Sequence, residues 1–508
     1  MKNRKLMVII KSLLVIAILC LSTASYASDF HVRKGATGLK NGLNWNDAWD
    51  DINSISGIGS GDTVYLAAGN YTGSYTANSS GWTLKRATTS EHGSATGWSS
   101  AYDGTVNING ADGVDLFQLS GYNTITIDGV DKSKFILYGQ SGRRPKRGIE
   151  VNSASSYDIV AKNITVHDMD QAGVQFANAS GGMELRNSEI YKNGLDGQEE
   201  TDANVHFDSL GSTNGNNIIA NNYIHDASFA SNAEKIDCIT TIGSSNLYIY
   251  GNTINGGWEA TNSSDLISIR GGSNRYIYNN VFELGSSNAN QNIFISASNG
   301  NVANTYIYNN VFYKPVSTAG SAGISIGWFG TASYPYSLKG LYVYNNVFYG
   351  QQFGLYFASG MPASSLSTVE IKNNIFKSWA QSSAATEIYS ESGIRTALTV
   401  DYNYYYQAAG EPIAYIGLSK TLSQARSEWG WELHGSEGDP VFDSIGVNGF
   451  HLTAGSPSPL VGGGAVLSNI FNIDKNNNPR TGYWDMGPYN HSSQVIIKSS
   501  APTNLRVM

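Results

Sequence analysis

Residues 277–282 read Ile-Tyr-Asn-Asn-Val-Phe, and the same six residues return at 307–312. Close variants occupy 219–224, 249–254, 343–348 and 371–376, and shorter copies lie at 162–166, 186–190 and 402–405. From copy to copy the second residue of the pair advances by 28 to 36 residues, through Asn222, Asn252, Asn280, Asn310, Asn346, Asn374 and Asn403. A period of this length is typical of solenoids and propellers, in which each repeat packs on its neighbours.

Each period also contains a further apolar stretch after a loop of variable length, such as 205–208 or 293–296. Apolar residues at alternate positions predict strands with one face turned inward. We place the asparagine pair at a tight turn between two strands, because Asn tolerates left-handed backbone and its amides can stack from turn to turn. The sequence lacks the regular leucines of leucine-rich repeats, the Gly-His and Trp-Asp motifs of propeller blades, and helical heptads. We therefore predict an all-β parallel solenoid.

The chain of 508 residues has only 14% charged residues but 56 glycines and 31 tyrosines, a strand-and-turn composition. A basic start, an apolar run at 13–21 and small residues up to Ala27 predict a signal peptide over 1–27. We therefore expect a secreted protein, extracellular or periplasmic, without membrane insertion and monomeric. The net charge of −8 disfavours nucleic-acid binding. Beyond the signal peptide only Cys238 remains, so no internal disulfide can form.

Both ends of the mature chain resemble a known family. The stretches 30–36 and 61–71 look like the N-terminal cap and first rung of secreted right-handed parallel β-helix proteins, the pectin-lyase-like superfamily. The stretches 438–442, 450–460 and 485–489 look like their closing segment, although Pro488 and Asn490 depart from its usual final phrase. The resemblance implies a right-handed parallel β-helix with an N-terminal capping helix, which we predict at 46–55, and a C-terminal capping segment. The expected divisions are 1–27 signal peptide, 28–135 N-terminal cap and first rungs, 136–429 repeats, 430–492 C-terminal cap and 493–508 tail.

Aligning the repeats on the asparagine turn produces chemically interesting columns, meaning positions that repeat from rung to rung. One column contains His167, Tyr191 and His225, which would place the two histidines about 10 Å apart. The next column contains Asp168, Lys192 and Asp226. Solvated turn residues are the alternative interpretation.

A second set surrounds a longer step in the repeat, where Asp196, Glu199, Glu200, Asp202 and Asp208 accompany His206. In the apolar stretch that follows the variable loop, one position stands directly before the first apolar residue. On successive rungs this position holds Gly173, Asn204, Asp237, Asp265 and Asn292. We predict these five as one column, with Asp237 and Asp265 as direct neighbours that need a proton or a cation between them. An acidic solvated loop is the alternative.

Two chemistries fit this set. In a lyase, calcium on Asp202, Asp237 and Asp265, or the side chains Arg147 and Arg270, would neutralise a sugar carboxylate; His206 or Lys235 would be the base and Tyr191 the acid. A glycoside hydrolase would use Asp208 with Asp237 or Asp265. His167 and His225 would bind substrate. The active-site sequence motifs of the superfamily are not evident in this chain, so none of its residues is assigned as catalytic by analogy with that superfamily.

These observations predict a carbohydrate-active protein acting on an acidic polysaccharide, as a lyase or a hydrolase. The alternative is a non-catalytic surface, adhesin or matrix protein that uses the solenoid as a glycan-binding scaffold. Two tyrosine ladders fit either interpretation or a purely structural one: Tyr248, Tyr276, Tyr306 and Tyr342, and Tyr250, Tyr278, Tyr308 and Tyr344.

Overall fold

Three long sheets of thirteen strands each run along the molecule in the computed structural model. It describes residues 27–196, 202–227, 236–256, 265–285, 291–315, 321–377, 386–391, 393–406, 412–415, 418–457 and 459–491. The chain visits the sheets in turn, so each rung contributes one strand to each, and about 12 turns stack into a solenoid. The predicted all-β parallel solenoid is confirmed.

We call the sheets A, B and C. Sheet A contains the strands Asp29–Val32, Thr63–Leu66, Thr83–Arg86, Asn123–Asp128, Tyr157–Lys162, Met183–Arg186, Asn217–Ala220, Leu247–Tyr250, Gly272–Tyr278, Val302–Tyr308, Leu338–Tyr344, Leu366–Lys372 and Leu398–Asp401. Sheet B contains Gly69–Thr72, Val106–Asn109, Phe135–Tyr138, Thr165–His167, Glu189–Tyr191, Tyr223–His225, Thr253–Gly256, Val281–Leu284, Val311–Tyr313, Val347–Tyr349, Ile375–Lys377, Tyr404–Tyr406 and Ser436–Glu437.

Sheet C contains Tyr75–Thr76, Asp115–Gln118, Arg147–Asn152, Ala172–Ala177, Ala203–Asp208, Asp237–Ile242, Ile267–Arg270, Gln291–Ser296, Ala322–Gly327, Phe353–Phe357, Thr386–Ser390, Ile413–Tyr415 and Leu418–Lys420. Its last two strands pair antiparallel, whereas the pairs before them are parallel. The α-helices are Thr89–His92 and Leu422–Trp429, and the 3₁₀ turns are Ile52–Ser54, Ser100–Tyr102, Lys132–Lys134, Ala363–Ser365 and Arg395–Ala397.

Identical side chains stack along the interior. Phe282, Phe312, Phe348 and Phe376 form one continuous inward stack with ring centroids 4.5 to 4.9 Å apart. They belong to one long hydrophobic core that begins near Val32 and ends near Trp431. Since offset aromatic pairs add to the energy of burial, a repeated sequence is stabilised by repeated contacts.

The asparagine turn lies between sheets A and B, as predicted. The first residue of the pair has left-handed backbone, with φ of 56° at Asn279 and 54° at Asn309. The second asparagine is buried and forms a ladder: its backbone N–H and its Nδ2 both donate to Oδ1 of the next rung, at 2.9 to 3.1 Å, from Asn222 to Asn403. Nδ2 also donates to a carbonyl, as Asn310 does to that of Ile277. The ladder therefore satisfies buried polar groups that the turn would otherwise leave unpaired.

Glu432 ends this ladder. Its carboxylate accepts hydrogen bonds from the backbone N–H and Nδ2 of Asn403, at 3.1 and 2.7 Å, and from the Tyr405 hydroxyl at 2.6 Å. Burial raises the pKa of Glu432 from its ordinary 4.5 to about 7, against the lowering effect of these bonds.

We expect stability to fall as pH rises from about 4.5 to about 7, because the folded chain holds the Glu432 proton more tightly than the unfolded chain. The raised pKa corresponds to a loss of about 3 kcal/mol across this window. Denaturant titrations of the wild type and of Glu432→Gln at pH 5 and pH 8 measure it. The difference in unfolding free energy between pH 5 and pH 8 should be smaller in the variant by about this amount. Equal differences in the two proteins would show that Glu432 does not titrate with a raised pKa.

The predicted N-terminal capping helix at 46–55 is wrong except for a single 3₁₀ turn at Ile52–Ser54. Asn44 accepts hydrogen bonds from the backbone of residues 46 and 47, and Asp47 accepts one from Leu39. Short polar side chains that bond nearby backbone groups favour turns over helix, so the amphipathic pattern was outweighed by local side-chain bonds.

The C-terminal region covers the end of the solenoid and also part of its side. The helix Leu422–Trp429 begins with a capping box of Thr421 and Gln424, and Trp431 closes the core. The residues after Gly438 (439–457 and 459–491, here the C-terminal strap) run back over the asparagine turns. Nδ2 of Asn373 and of Asn345 donates to strap carbonyls at 2.8 and 2.9 Å.

Within the described ranges, no helix is long and apolar enough to cross a membrane.

Candidate functional site

The outer face of sheet C collects six of the predicted site residues: Arg147, His206, Asp208, Asp237, Asp265 and Arg270. Three parallel strands carry its centre, namely Ala203–Asp208, Asp237–Ile242 and Ile267–Arg270. His206 lies opposite Thr240, which lies opposite Ser268. The fold thus assembles on one surface residues that are more than sixty positions apart in the chain.

The predicted column of Gly173, Asn204, Asp237, Asp265 and Asn292 is wrong, because its members are out of register by one residue. Asp237 lies opposite Ala203, so the partner of Asn204 is Cys238. Asp265 remains beside Asp237, but Asn292 lies level with Leu266 and not with the two aspartates. The cause is a bend at the start of these strands: Cys238 and Ile239 are consecutive, yet both are buried in the core. Strict alternation therefore fails at this corner.

Asp237 is held by several hydrogen bonds on this face. It is 4% exposed, and its carboxylate accepts hydrogen bonds from the Thr240 hydroxyl at 3.1 Å and the Asp265 backbone N–H at 3.0 Å. Nη2 of Arg270 lies 3.9 Å from Oδ2 of Asp237, while Nε of Arg270 donates to the Ser268 hydroxyl at 3.2 Å. The Arg270 guanidinium is therefore directed over the centre of the face.

His206 is 2% exposed and lies between Gln175 and Thr240 on the neighbouring strands. Asp208 lies two residues further along the same strand, opposite Ile242. Since Ile242 is five residues beyond Asp237, Asp208 and Asp237 are separated by roughly 15 Å. Asp265 lies one strand further away still. These backbone separations exceed the roughly 5 to 9.5 Å between glycosidase carboxylates. The register therefore does not favour the hydrolase pairs of Asp208, and their role stays a prediction.

The Arg147 guanidinium contacts side chains of the adjacent strand and loop. Its Nη1 lies 3.4 Å from Asp115, and its Nη2 donates to Gln171 at 3.0 Å. Burial raises the pKa of Asp115, against the opposing effect of Arg147. Arg147 is three strands from Asp237, roughly 14 Å, and is therefore placed at the margin of the face.

The column of His167, Tyr191 and His225 exists as predicted, on sheet B. Tyr191 stacks between the two imidazoles, with centroids 4.8 Å away on each side. Nδ1 of His167 lies 2.6 Å from Asp168, and Nδ1 of His225 lies 2.9 Å from Asp226. Burial, then the charges of Asp168 and Glu189, raise the pKa of Tyr191. The stack lies on a different sheet from His206, and its substrate role stays a prediction.

The predicted calcium ligands begin with Asp202, which is buried just before the strand Ala203–Asp208. Lys235, Glu199 and Glu200 lie outside the described residues. Among the residues that are described, no group of three or more His, Cys, Asp or Glu side chains is arranged to hold a metal ion. Both carboxylate oxygens of Asp237 already accept hydrogen bonds. Calcium on Asp202, Asp237 and Asp265 stays a prediction.

Aromatic residues that were not predicted from the sequence lie on the same face. Phe294, Tyr356 and Tyr389 continue the column of His206 along sheet C. Trp328 follows directly after the strand Ala322–Gly327, is 43% exposed and contacts Phe294 at 5.3 Å. Its φ of 71° is unusual for a bulky residue. The sequence pattern that could have predicted this column is an aromatic residue between two apolar residues that face inward, as in Ile293-Phe294-Ile295.

The tyrosine ladders lie on the outer side of sheet A. Their rings stack with centroids 4.5 to 5.1 Å apart, from Tyr248 to Tyr342 in one ladder and from Tyr250 to Tyr308 in the other. Tyr308 and Tyr344 are buried against strap residues Leu467, Phe471 and Trp484. This contact supports the structural interpretation of the ladder at these positions.

No protein-family description and no curated protein sequence matches the chain. Solved structures do resemble it. A pectate lyase, Pel9A, has 14% identity and a TM-score of 0.43, with 92% of this chain and 98% of the other covered. The Yersinia enterocolitica family 28 exopolygalacturonase has 12% identity and a TM-score of 0.41, covering 82% and 79%. The A-module of an Azotobacter vinelandii mannuronan C-5 epimerase has 15% identity and a TM-score of 0.34, covering 70% and 87%. These likenesses concern the fold.

Proposed function

We propose that this chain is a secreted carbohydrate-active protein that binds an acidic polysaccharide along the outer face of sheet C and cleaves it by β-elimination. The observation that carries the proposal is the column of His206, Phe294, Tyr356 and Tyr389, with Arg270 directed over it. Because strands repeat every 4.8 Å or so, such a column offers a repeating set of positions to a repeating polymer.

Each group on this face has a chemical task in the proposed reaction. The Arg270 guanidinium binds the sugar carboxylate, which stabilises the negative charge that develops when the neighbouring carbon loses its proton. His206 accepts that proton as general base, and the bond to the leaving oxygen then breaks. The leaving oxygen takes its proton from solvent, because Tyr191, the predicted acid, lies on a different sheet from His206. The aromatic residues bind the apolar faces of sugar rings further along the chain.

An eliminative cleavage produces an unsaturated sugar that absorbs ultraviolet light, so the purified protein can be tested on alginate, pectate and glycosaminoglycans. We expect product from at least one polymer, and a loss of kcat/KM on the order of 10²-fold or more in His206→Ala and in Arg270→Ala. His434→Ala is the control, because His434 is exposed at the end of the solenoid beside Asp401. Trp328→Ala should raise KM while kcat is largely retained.

A second candidate is a non-catalytic glycan-binding scaffold. It is favoured by the 2% exposure of His206 and by the internal bonds of Asp237 and Arg147. In that case the protein would bind polymers on a glycan array without releasing product, and His206→Ala would leave binding unchanged. Unchanged turnover in His206→Ala would exclude the mechanism proposed above.

A further inference from the structure

A positive charge lies inside the solenoid. Arg275 belongs to the sheet A strand Gly272–Tyr278 and occupies the same inward column as Leu247, Thr305 and Leu341. Its side chain is 0% exposed. The charged side chain therefore lies inside the solenoid, where charged side chains are rare unless they are paired.

The local backbone is shaped to accept this guanidinium. Gly271 and Gly272 both have left-handed backbone, with φ of 74° and 96°. A Cβ on Gly272 would lie 2.2 Å from Nη2 of Arg275 and 2.3 Å from the Ser244 carbonyl. The turn also presents the Gly271 carbonyl, which accepts a hydrogen bond from Nη2. The glycine pair thus makes room for the arginine and satisfies one of its nitrogens.

The other donors of Arg275 lack partners among the described residues. Nε and Nη1 of Arg275 have no hydrogen-bond partner in the described part of the chain, and neither does the hydroxyl of Thr305 on the adjacent rung. No described Asp or Glu forms an ion pair with Arg275. Burial alone lowers the pKa of Arg275, and no neighbouring charge contributes.

An arginine side chain does not give up its proton in proteins, and an isolated buried charge costs many times more than a paired one. Water could fill the hydrogen-bonding demand of Nε, Nη1 and the Thr305 hydroxyl, but it would not balance the charge. We propose that the interior of the solenoid between the Arg275 and Thr305 rungs is a binding site for a small monovalent anion of the halide class. The anion would accept hydrogen bonds from the Arg275 guanidinium and the Thr305 hydroxyl and would stabilise the stacked rungs.

Bromide is the probe for this site, because it replaces chloride and scatters anomalously. Protein refolded and crystallised in bromide should show an anomalous peak within hydrogen-bond distance of the Arg275 guanidinium. Arg275→Met, which keeps the length of the side chain and removes its charge, should lose the peak. Ordered water without an anomalous peak at this position would overturn the proposal.

Stability provides an independent readout that does not depend on crystals. After refolding, the thermal midpoint of the wild type should be higher in chloride than in gluconate at equal ionic strength, and the difference should saturate with concentration. Thr305→Val should reduce the difference, and Arg275→Met should abolish it. Arg186→Met on the outer side of sheet A is the matched control, since Arg186 pairs with Glu184. An equal chloride effect in Arg275→Met and the wild type would show that the ion acts elsewhere.

Discussion

Replacing Asn310 by alanine should lower the free energy of unfolding by about 4 kcal/mol. Asn310 accepts hydrogen bonds from the backbone N–H and Nδ2 of Asn280 and donates to the Ile277 carbonyl and to Asn346. Alanine would leave the Asn280 N–H and the Ile277 carbonyl buried without these partners, and each orphaned group costs about 1 to 3 kcal/mol. Chemical denaturation followed by circular dichroism measures the loss.

Asn107→Ala is the control for this experiment, because Asn107 also donates to an asparagine of the neighbouring rung, Asn70, but at the surface. Its loss should cost at most about 0.5 kcal/mol. Asn310→Asp should be as damaging as alanine, since a carboxylate cannot donate to Ile277 and would place a charge in the buried ladder. If Asn310→Ala were as stable as Asn107→Ala, the ladder would not contribute to stability.

Trp484→Ala should cost about 3 to 5 kcal/mol and should release the C-terminal strap. Trp484 is 1% exposed, contacts Phe471 at 5.1 Å and lies under the Arg480 guanidinium at 5.3 Å. Its carbonyl also accepts a hydrogen bond from Gly464 at 2.8 Å. Hydrogen exchange should show faster exchange at the backbone amides of Gly464 and Gly487, while amides of the inner strands keep their protection.

The adjacent Tyr483 is the matched control, because it is 86% exposed. Tyr483→Ala should change stability by no more than about 0.5 kcal/mol. Uniform loss of protection along the whole solenoid in Trp484→Ala would contradict the idea that the strap is a separately opening unit. Unchanged exchange at Gly464 would mean that the ring does not anchor the strap.

Much of the fold could be predicted from the chain because its signals are local and repeated. The asparagine pair determines the turn between sheets A and B, and the alternate apolar residues determine which side of each strand faces inward. The column of His167, Tyr191 and His225 followed from this register and was found with the expected stacking. A register that is repeated on every rung leaves little freedom for error.

The candidate site was predicted less well, because it depends on where alternation breaks. At the start of sheet C two consecutive residues, Cys238 and Ile239, face the core, so aligning on the first apolar residue displaced Asn204 and Asn292 by one position. The register separates Asp208 from Asp237 along the strand direction, a separation that the sequence pattern does not give although it places both residues on the same face. The aromatic residues Phe294 and Tyr356 were overlooked because their outward position appears only when sheet C is aligned.

The amino-acid sequence by itself determined the repeat, the asparagine turn and the three-strand rung, since these depend on backbone preference and on hydrophobic alternation within some 30 residues. Tertiary structure alone decided that residues 459–491 fold back over turns formed 92 to 196 residues earlier, and that Asn309 donates to the Ile473 carbonyl. It also decided that Arg275 lies in the core. Such contacts join distant segments through shape and unpaired polar groups, which no local pattern in the chain encodes.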